Sequence, residues 1–402
     1  MENLNPKKTL YRPCPICGEK QGEVLHTQHF LLSDTHLLPS SYDVVCCPCC
    51  GFVFADTSAK QSTYDRFYQD MSKYEDKNTA SGGGDKPYDL QRIEETAHTI
   101  ADFVKKKDAK ILDIGCGNGG ILIALKQKGF TNLMGLDPSR NCVKTMREKG
   151  VEAVQGNLFS NDLKETLKET FDFIILSHVF EHICDLAAGV EVLQSLLNEK
   201  GRVYIETPNA ANYPNFYIVP YYYFDIEHIN HFDADAQRNL FEKHGFQAIH
   251  SATKTITVVE NQGYPAVYSL FEKGTSKKNN FSCTSVLRDS ILAYIRLSAN
   301  DHPIAKLQDY IQNKTPIVVW GAGNYTARIL KETNLKEANI LFFVDNDSKK
   351  EGMQIIGKEV ISPEALLQLK EPFDIVVVSA LFSLEISKQI KAMGLKNNIL
   401  CL

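Results

Sequence analysis

The chain has 402 residues, 43% of them hydrophobic, and a formal net charge of -5. That length suggests two or three domains of ordinary soluble composition, and the acidic balance excludes the broad basic face that duplex nucleic acid or an anionic membrane attracts. A membrane span needs a run of about 18 apolar residues, which the sequence lacks, and Met1-Glu-Asn-Leu-Asn5 has no apolar signal-peptide core. A cytoplasmic protein is expected.

Six of the 11 cysteines fall in the first 50 residues, in two knots. Without a secretion signal, clustered pairs read as metal ligands rather than disulfides. Cys14-Pro-Ile-Cys17-Gly18 and Cys47-Pro-Cys-Cys50-Gly51 are matching knuckles. Thiolates two residues apart on such a turn grip one ion at about 2.3 Å, and two knuckles complete a closed tetrahedral zinc site with a structural role. Cys14, Cys17, Cys47 and Cys50 are the expected ligands. Cys46 and Cys49 stand beside them as possible replacements within the set. Residues 1–75 therefore read as a zinc-binding module.

The Ser81-Gly-Gly-Gly-Asp-Lys-Pro87 stretch, within 76–88, reads as a loop or linker. From about residue 89 to 255, strand and helix patterns alternate, the signature of an open α/β sheet with mostly parallel strands. Strands are expected at 110–114, 132–137, 152–155, 171–177 and 201–206, with helices over 121–128 and 138–149. The domain is taken as 76–255. Residues 256–314 form a connecting region with an amphipathic helix near 285–298. Residues 315–402 begin a second, shorter alternation.

Within the core, Asp113-Ile-Gly115-Cys-Gly117-Asn-Gly119 leaves the first strand and enters a helix. Glycines there let the backbone turn sharply and a ligand approach without Cβ atoms in the way. Asp137 ends the next strand, where a carboxylate can accept from ribose hydroxyls. Asn157 follows the third strand, within reach of an adenine edge. Ser177-His-Val-Phe-Glu-His182 follows the fourth, at the carboxyl end of the sheet where ligands bind. In the last stretch, Pro316-Ile-Val-Val-Trp-Gly-Ala-Gly-Asn324 repeats the strand-to-glycine turn, and Asp345 ends the strand after it. That stretch is either a pocket for a nucleotide or a packing domain.

The core series resembles the class I S-adenosylmethionine-dependent methyltransferases. The resemblance implies a Rossmann-like α/β fold, with the donor lined by Asp113, Gly115, Gly117, Gly119, Asp137, Asn157 and Ser177. The order of zinc knuckles, methyltransferase core and C-terminal Rossmann-like domain further resembles the sugar C-methyltransferases. That likeness implies a nucleotide-linked keto-deoxysugar as acceptor, methylated at a carbon beside its ketone through an enolate. The matching Tyr-rich stretch runs from Tyr221 to Phe232. It offers His228 as base, because an imidazole titrates near working pH, and Glu227 to orient a ring or bind substrate. Tyr222, Tyr223 or His231 could stabilise the enolate oxygen, and Tyr64 and Tyr68 are further candidates. An O-methyltransferase acting on a sugar or polysaccharide precursor is the alternative.

Overall fold

The computed structural model describes residues 7–70, 87–274, 281 and 283–402. The glycine-rich stretch expected as a linker lies, up to Lys86, outside the described residues. The chain divides into two compact units, each assembled from three segments. The first takes residues 1–25, 43–216 and 227–291, and the second takes 26–42, 217–226 and 292–402. Residues 26–42 therefore do not cluster with the cysteine knuckles on either side of them in sequence.

The N-terminal strands are β1 (Lys7–Thr9), β2 (Gln21–His29), β3 (Ser41–Cys46) and β4 (Val53–Asp56), followed by helix α1 (Gln61–Asp70). They form a five-stranded sheet in the order β1-β2-β3-β4-β10, where β10 is Asn230–His231. The last pairing is antiparallel, Asn230 opposite Phe54 and His231 opposite Val53. A two-residue segment 175 positions along the chain thus closes the edge of this small sheet.

The core of the first unit begins with α2 (Pro87–Phe103) and alternates β5 (Lys110–Ile114), α3 (Gly120–Gln127), β6 (Asn132–Asp137), α4 (Arg140–Glu148), β7 (Glu152–Gln155), α5 (Leu163–Leu167), β8 (Phe171–Ser177), α6 (Leu186–Leu196) and β9 (Leu197–Pro208). Helix α7 (Ala234–Lys243), β11 (Phe246–Val259) and β12 (Gln262–Lys273) follow. The sheet order is β11-β12-β9-β8-β5-β6-β7. Strands β5 to β9 pair in parallel, and β12 is antiparallel to both neighbours. β5 is buried over four of its five residues, as a strand covered by helices on both faces must be. Ile111, Leu122, Leu125, Met146 and Ile175 pack the layer beneath α2 and α3. Capping is explicit in the sequence: Ser139, Asp185 and Asp233 accept from the backbone N–H groups of Cys142, Ala188 and Ala236 at 2.8–3.2 Å.

The expected break at residue 255 falls inside β11. The connecting region expected from 256 contributes β12, which pairs along β9 from Arg202 to Pro208. The core sheet therefore ends at Lys273. Beyond it, α8 (Val286–Asn300) is the helix anticipated near 285–298.

In the second unit, α9 (Ile304–Asn313) leads to β13 (Ile317–Trp320), α10 (Asn324–Glu332), β14 (Ile340–Val344), β15 (Gln354–Ile355), β16 (Lys358–Ile361), β17 (Asp374–Val377), α11 (Ser383–Ala392) and β18 (Ile399–Cys401). Their order is β15-β16-β14-β13-β17-β18, parallel except for the short β15. The segment 217–226 packs on this unit through Val219, Ile218 and Tyr222. The buried Arg328 guanidinium donates to the Tyr221 carbonyl. Both units have the layered α/β architecture that the alternating pattern implied.

Candidate active site

In the seven-stranded sheet, strand order reverses between β5 and β8, and such a switch point leaves a crevice at the carboxyl ends of the strands. The turn after β5 carries Gly115, Gly117 and Gly119, at φ of 70°, 53° and 75°. These are left-handed conformations that only glycine adopts freely. At Gly115 a Cβ would also lie 2.7 Å from Val179 Cγ2. Asp137, at the end of β6, braces the turn. Its Oδ2 accepts from Gly117 N–H and its Oδ1 from Ser139 N–H, each at 2.8 Å.

Asp113 is 2% exposed, and its carboxyl is held well above the usual carboxylate range by burial and then by the charge of Asp137. It lies behind the turn as a poised acid. Asn157 spends its Oδ1 on the N–H of Phe159 at 2.8 Å, shaping the loop after β7. Ser177 ends β8 with a buried hydroxyl that has no hydrogen-bond partner among the described residues. Open glycine backbone, a fixed carboxylate and an orphaned hydroxyl fit the ribose and amino-acid ends of a nucleoside donor.

Beyond Ser177 the chain makes a tight left-handed step at His178, φ 57°, and turns through Phe180–His182. His178 lies between two buried carboxylates, with Nδ1 3.1 Å from Glu181 Oε1 and Nε2 3.3 Å from Glu206 Oε1. Burial alone would lower its pKa; the bonds to Glu181 and Glu206 outweigh burial and raise it. Glu206, near the end of β9, meets Lys254 Nζ of β11 at 2.6 Å, and that ammonium also donates to Thr96 of α2 at 2.9 Å. Burial pushes the Glu206 carboxyl up, but Lys254 and His178 bring it below the ordinary carboxylate range. Sequence reasoning did not single out His178, Glu206 or Lys254. The Ser177-His178-x-x-Glu181-His182 spacing was the available signal for the first.

A second cluster joins the loops after β8 and before β10. One ligand-type atom each of Glu181, His182 and His228 lie within 4.8 Å of one another. The rings of His182 and His228 meet edge to face at 4.8 Å. His182 Nδ1 is 3.0 Å from the Glu227 carbonyl and 2.8 Å from Tyr68 Oη. Nδ1 thus faces a carbonyl that only accepts and a phenol hydroxyl that can accept or donate. His182 is buried and His228 half-buried, which leaves His228 as the accessible ring. His231 is fully buried beside Tyr213, and burial, then His228, pushes its pKa down to about 3. Tyr64 is also buried, its phenol raised to about 12 chiefly by that burial.

The sequence-predicted residues therefore fall into groups. Asp113, the three glycines, Asp137 and Ser177 gather around the β5 and β8 ends. Glu227 and His228 join His182. Tyr222 belongs to the other unit, where its ring packs edge-on to Tyr223 at 5.2 Å.

The knuckles come together in the first unit. Cys14 and Cys50 Sγ are 3.6 Å apart, and Cys17 and Cys47 Sγ 3.4 Å. Ligands at about 2.3 Å on a tetrahedron are separated by roughly 3.8 Å, so the four sulfurs fit one zinc ion with slight opening. Each knuckle closes with a glycine N–H donated to the first cysteine's carbonyl, Gly18 to Cys14 at 2.8 Å and Gly51 to Cys47 at 2.9 Å. Cys46 turns away, its thiol 3.7 Å from the Gly51 carbonyl, and Cys49 is exposed.

In the second unit, Ala322 N–H donates to Asp345 Oδ2 at 2.8 Å and Asp347 N–H to Oδ1 at 2.9 Å. This repeats the Asp137 brace, with Lys350 Nζ added on Oδ2 at 2.9 Å.

These features define a Rossmann-like transferase architecture in the first unit. Residues 88–251 match the family model described as a methyltransferase domain, and residues 313–400 match the one described as C2185-like, N-terminal. The central segment is thus similar to methyltransferase domains. An uncharacterized methyltransferase of Alkaliphilus oremlandii is 31% identical over 121 residues, 29% of this chain and 54% of the relative. A ubiquinone biosynthesis O-methyltransferase of Xylella fastidiosa is 28% identical over 182 residues, 43% of this chain and 66% of the relative. The chain thus spans less than two thirds of the length of these curated relatives. Among solved structures, the magnesium protoporphyrin IX methyltransferase of Synechocystis PCC 6803 is 14% identical, covering 54% of this chain and 100% of that chain at a TM-score of 0.40. Among the described residues, no helix is long and apolar enough to cross a membrane.

Proposed function

We propose that the first unit transfers a methyl group from S-adenosylmethionine to a small-molecule acceptor, and that the acceptor is a carbon beside the ketone of a nucleotide-linked deoxysugar. The observation that carries the carbon reading is the His182–His228 pair. One imidazole is buried and held through Nδ1 between the Glu227 carbonyl and Tyr68 Oη, and the other is accessible beside it. When bound, the donor supplies an electrophilic methyl group on a sulfonium.

His228 takes the proton from the carbon next to the ketone. The released electron pair moves onto the carbonyl oxygen, and the resulting enolate carbon forms the new bond to the methyl group. The electrons of the broken carbon–sulfur bond stay on sulfur, leaving the demethylated donor. Glu181, held by His178, places a negative charge beside the pair and steadies the imidazolium that forms. Glu227 acts through its backbone carbonyl, which orients His182. Tyr222 takes no step in this reading. Cys14, Cys17, Cys47 and Cys50 hold a structural zinc ion, which closes its site to substrate.

The experiment is methyl transfer from labelled donor to thymidine- and guanosine-diphosphate-linked 4-keto-sugars, with deuterium exchange in heavy water. Exchange at the α-carbon without donor, lowered about 10²- to 10⁴-fold in His228→Gln, is the expected result for a lost general base. No exchange and no transfer across the panel overturns the carbon reading. A second reading, methylation of a hydroxyl oxygen, is favoured by the O-methyltransferases among the relatives. It requires transfer without α-exchange.

A further inference from the structure

Arg12 stands two residues before the first zinc-knuckle cysteine, and its guanidinium is buried, with the residue 7% exposed. It does not serve the knuckle. Nε and Nη2 donate to the Cys184 carbonyl at 3.0 and 2.6 Å, and Nη2 also to the Ile183 carbonyl at 3.2 Å. Nη2 reaches Asn230 Oδ1 at 2.8 Å, and Nη1 reaches the Ile229 carbonyl at 3.3 Å. The Asn230 amide donates onward to the carbonyls of Phe180 and Ile183 at 2.9 and 2.7 Å. Arg12 is itself anchored, its N–H on Asp56 Oδ1 at 2.9 Å and its guanidinium 5.5 Å over the Phe54 ring.

Besides the Ala55 carbonyl of β4 at 3.5 Å, the carbonyls it gathers are those just after His182 and just after His228. Asn230, which Arg12 also holds, bonds to the first loop too, and the loops meet directly where the Ile229 N–H donates to the Glu181 carbonyl at 2.9 Å. We infer that Arg12 is a positioning residue: the planar fork of a cysteine-module side chain sets the separation and angle of the His182 and His228 rings. Guanidinium geometry matters here. Its N–H groups point in fixed directions in one plane, which an ammonium cannot reproduce. Burial makes the lost bonds to the Ile183 and Ile229 carbonyls costly, since those two acceptors are buried. A displacement of about 1 Å at a catalytic group is enough to slow a reaction roughly 10²-fold.

The inference rests on the proposed role of the histidine pair, and its test separates the two. Arg12→Met and Arg12→Lys are prepared in the full chain, with Asn230→Leu as a second route to the same fork. Three readouts are taken: the ring-proton resonances of His182 and His228, bound zinc and S-adenosylmethionine affinity, and methyl-transfer kcat against KM. The expected result is shifted resonances for both rings in Arg12→Met and in Asn230→Leu. Zinc content and donor affinity stay within about twofold, because the thiolates and the glycine turn make no bond to Arg12. Transfer falls 10- to 100-fold in kcat with little change in KM, and Arg12→Lys does not restore it. Unmoved ring resonances in a folded Arg12→Met overturn the inference whether or not methyl transfer is observed. Loss of zinc in step with the resonance shift also overturns it, by reducing Arg12 to a support of the knuckle. If Arg12→Met fails to fold, Asn230→Leu decides by the same resonances.

Discussion

Gly117 donates its backbone N–H to Asp137 Oδ2 at 2.8 Å, twenty residues along the chain and one strand away. The same carboxylate takes the Ser139 N–H on its other oxygen, so one side chain fixes both the glycine turn and the start of α4. Asp137→Ala removes the acceptor for both. Hydrogen bonds to a charged group are worth about 1.5–3 kcal/mol, so donor affinity should fall about 10- to 100-fold in titration calorimetry. An unchanged dissociation constant would count against this turn as the donor site.

The neighbouring Asp113 gives a pH signature. Its carboxyl is raised by burial and by Asp137, which favours the protonated form in the free protein. A cationic donor bound close by stabilises the ionised form and lowers that pKa. Binding then releases a proton, and affinity rises with pH until the free-state pKa is passed. Calorimetry in two buffers of different ionisation enthalpy reads the release directly. Asp113→Asn should abolish it.

Gly115→Ala introduces a side chain at φ 70° whose Cβ lies 2.7 Å from Val179 Cγ2. Left-handed strain and overpacking of a stiff β-branched neighbour together cost about 2–4 kcal/mol. Thermal unfolding should shift down by several degrees, and the variant should lose donor binding.

His178 should titrate above its ordinary value, since Glu181 and Glu206 overcome the effect of burial. The sign follows from linkage. A base whose folded pKa is raised contributes stability in full below its unfolded pKa of about 6.5 and loses it as pH rises through the folded value. Nuclear magnetic resonance should place the His178 midpoint above 6.5, and Glu206→Gln should bring it down. Denaturant stability of the native chain should fall more steeply than that of Glu206→Gln between a pH of about 6.5 and that midpoint, where the folded chain still holds the proton.

The cysteine assignment is tested residue by residue. One zinc per chain is expected, with four sulfur neighbours at about 2.3 Å by X-ray absorption. Cys17→Ser and Cys47→Ser should lose the metal, and Cys46→Ser and Cys49→Ser should keep it. Retention of full zinc in Cys47→Ser would move the ligand set to Cys49.

The strands of the central sheet were legible because each is a short apolar run, the first leading into glycine, the second ending in Asp137 and the third ending in Ser177. Lys110–Ile114, Asn132–Asp137 and Phe171–Ser177 were read with their observed bounds. The β11–β12 hairpin was not. Its strands turn at Glu260-Asn261, with Asn261 in a left-handed conformation, and β12 carries a proline that obscures a strand pattern. The same omission hid half the polar network. Lys254 of β11 faces Ala266 of β12, which faces Pro208 of β9, and only that registration brings the ammonium to Glu206. Arg12 was equally invisible, because its partners are backbone carbonyls more than 170 residues away and carbonyls leave no mark on sequence.

The second unit draws on residues 26–42, 217–226 and 292–402. On a ribosome its earliest piece emerges more than 250 residues before the strand and helix it must meet. Leu31 N–H awaits the Ala327 carbonyl, and the Tyr221 carbonyl awaits Arg328. Nascent chains must therefore carry two unsatisfied segments until the strand and helix around residues 317–332 have emerged. Shortened versions ending near residue 291 or starting near 315 inherit the same deficit, so separate expression of either half should yield aggregation-prone material.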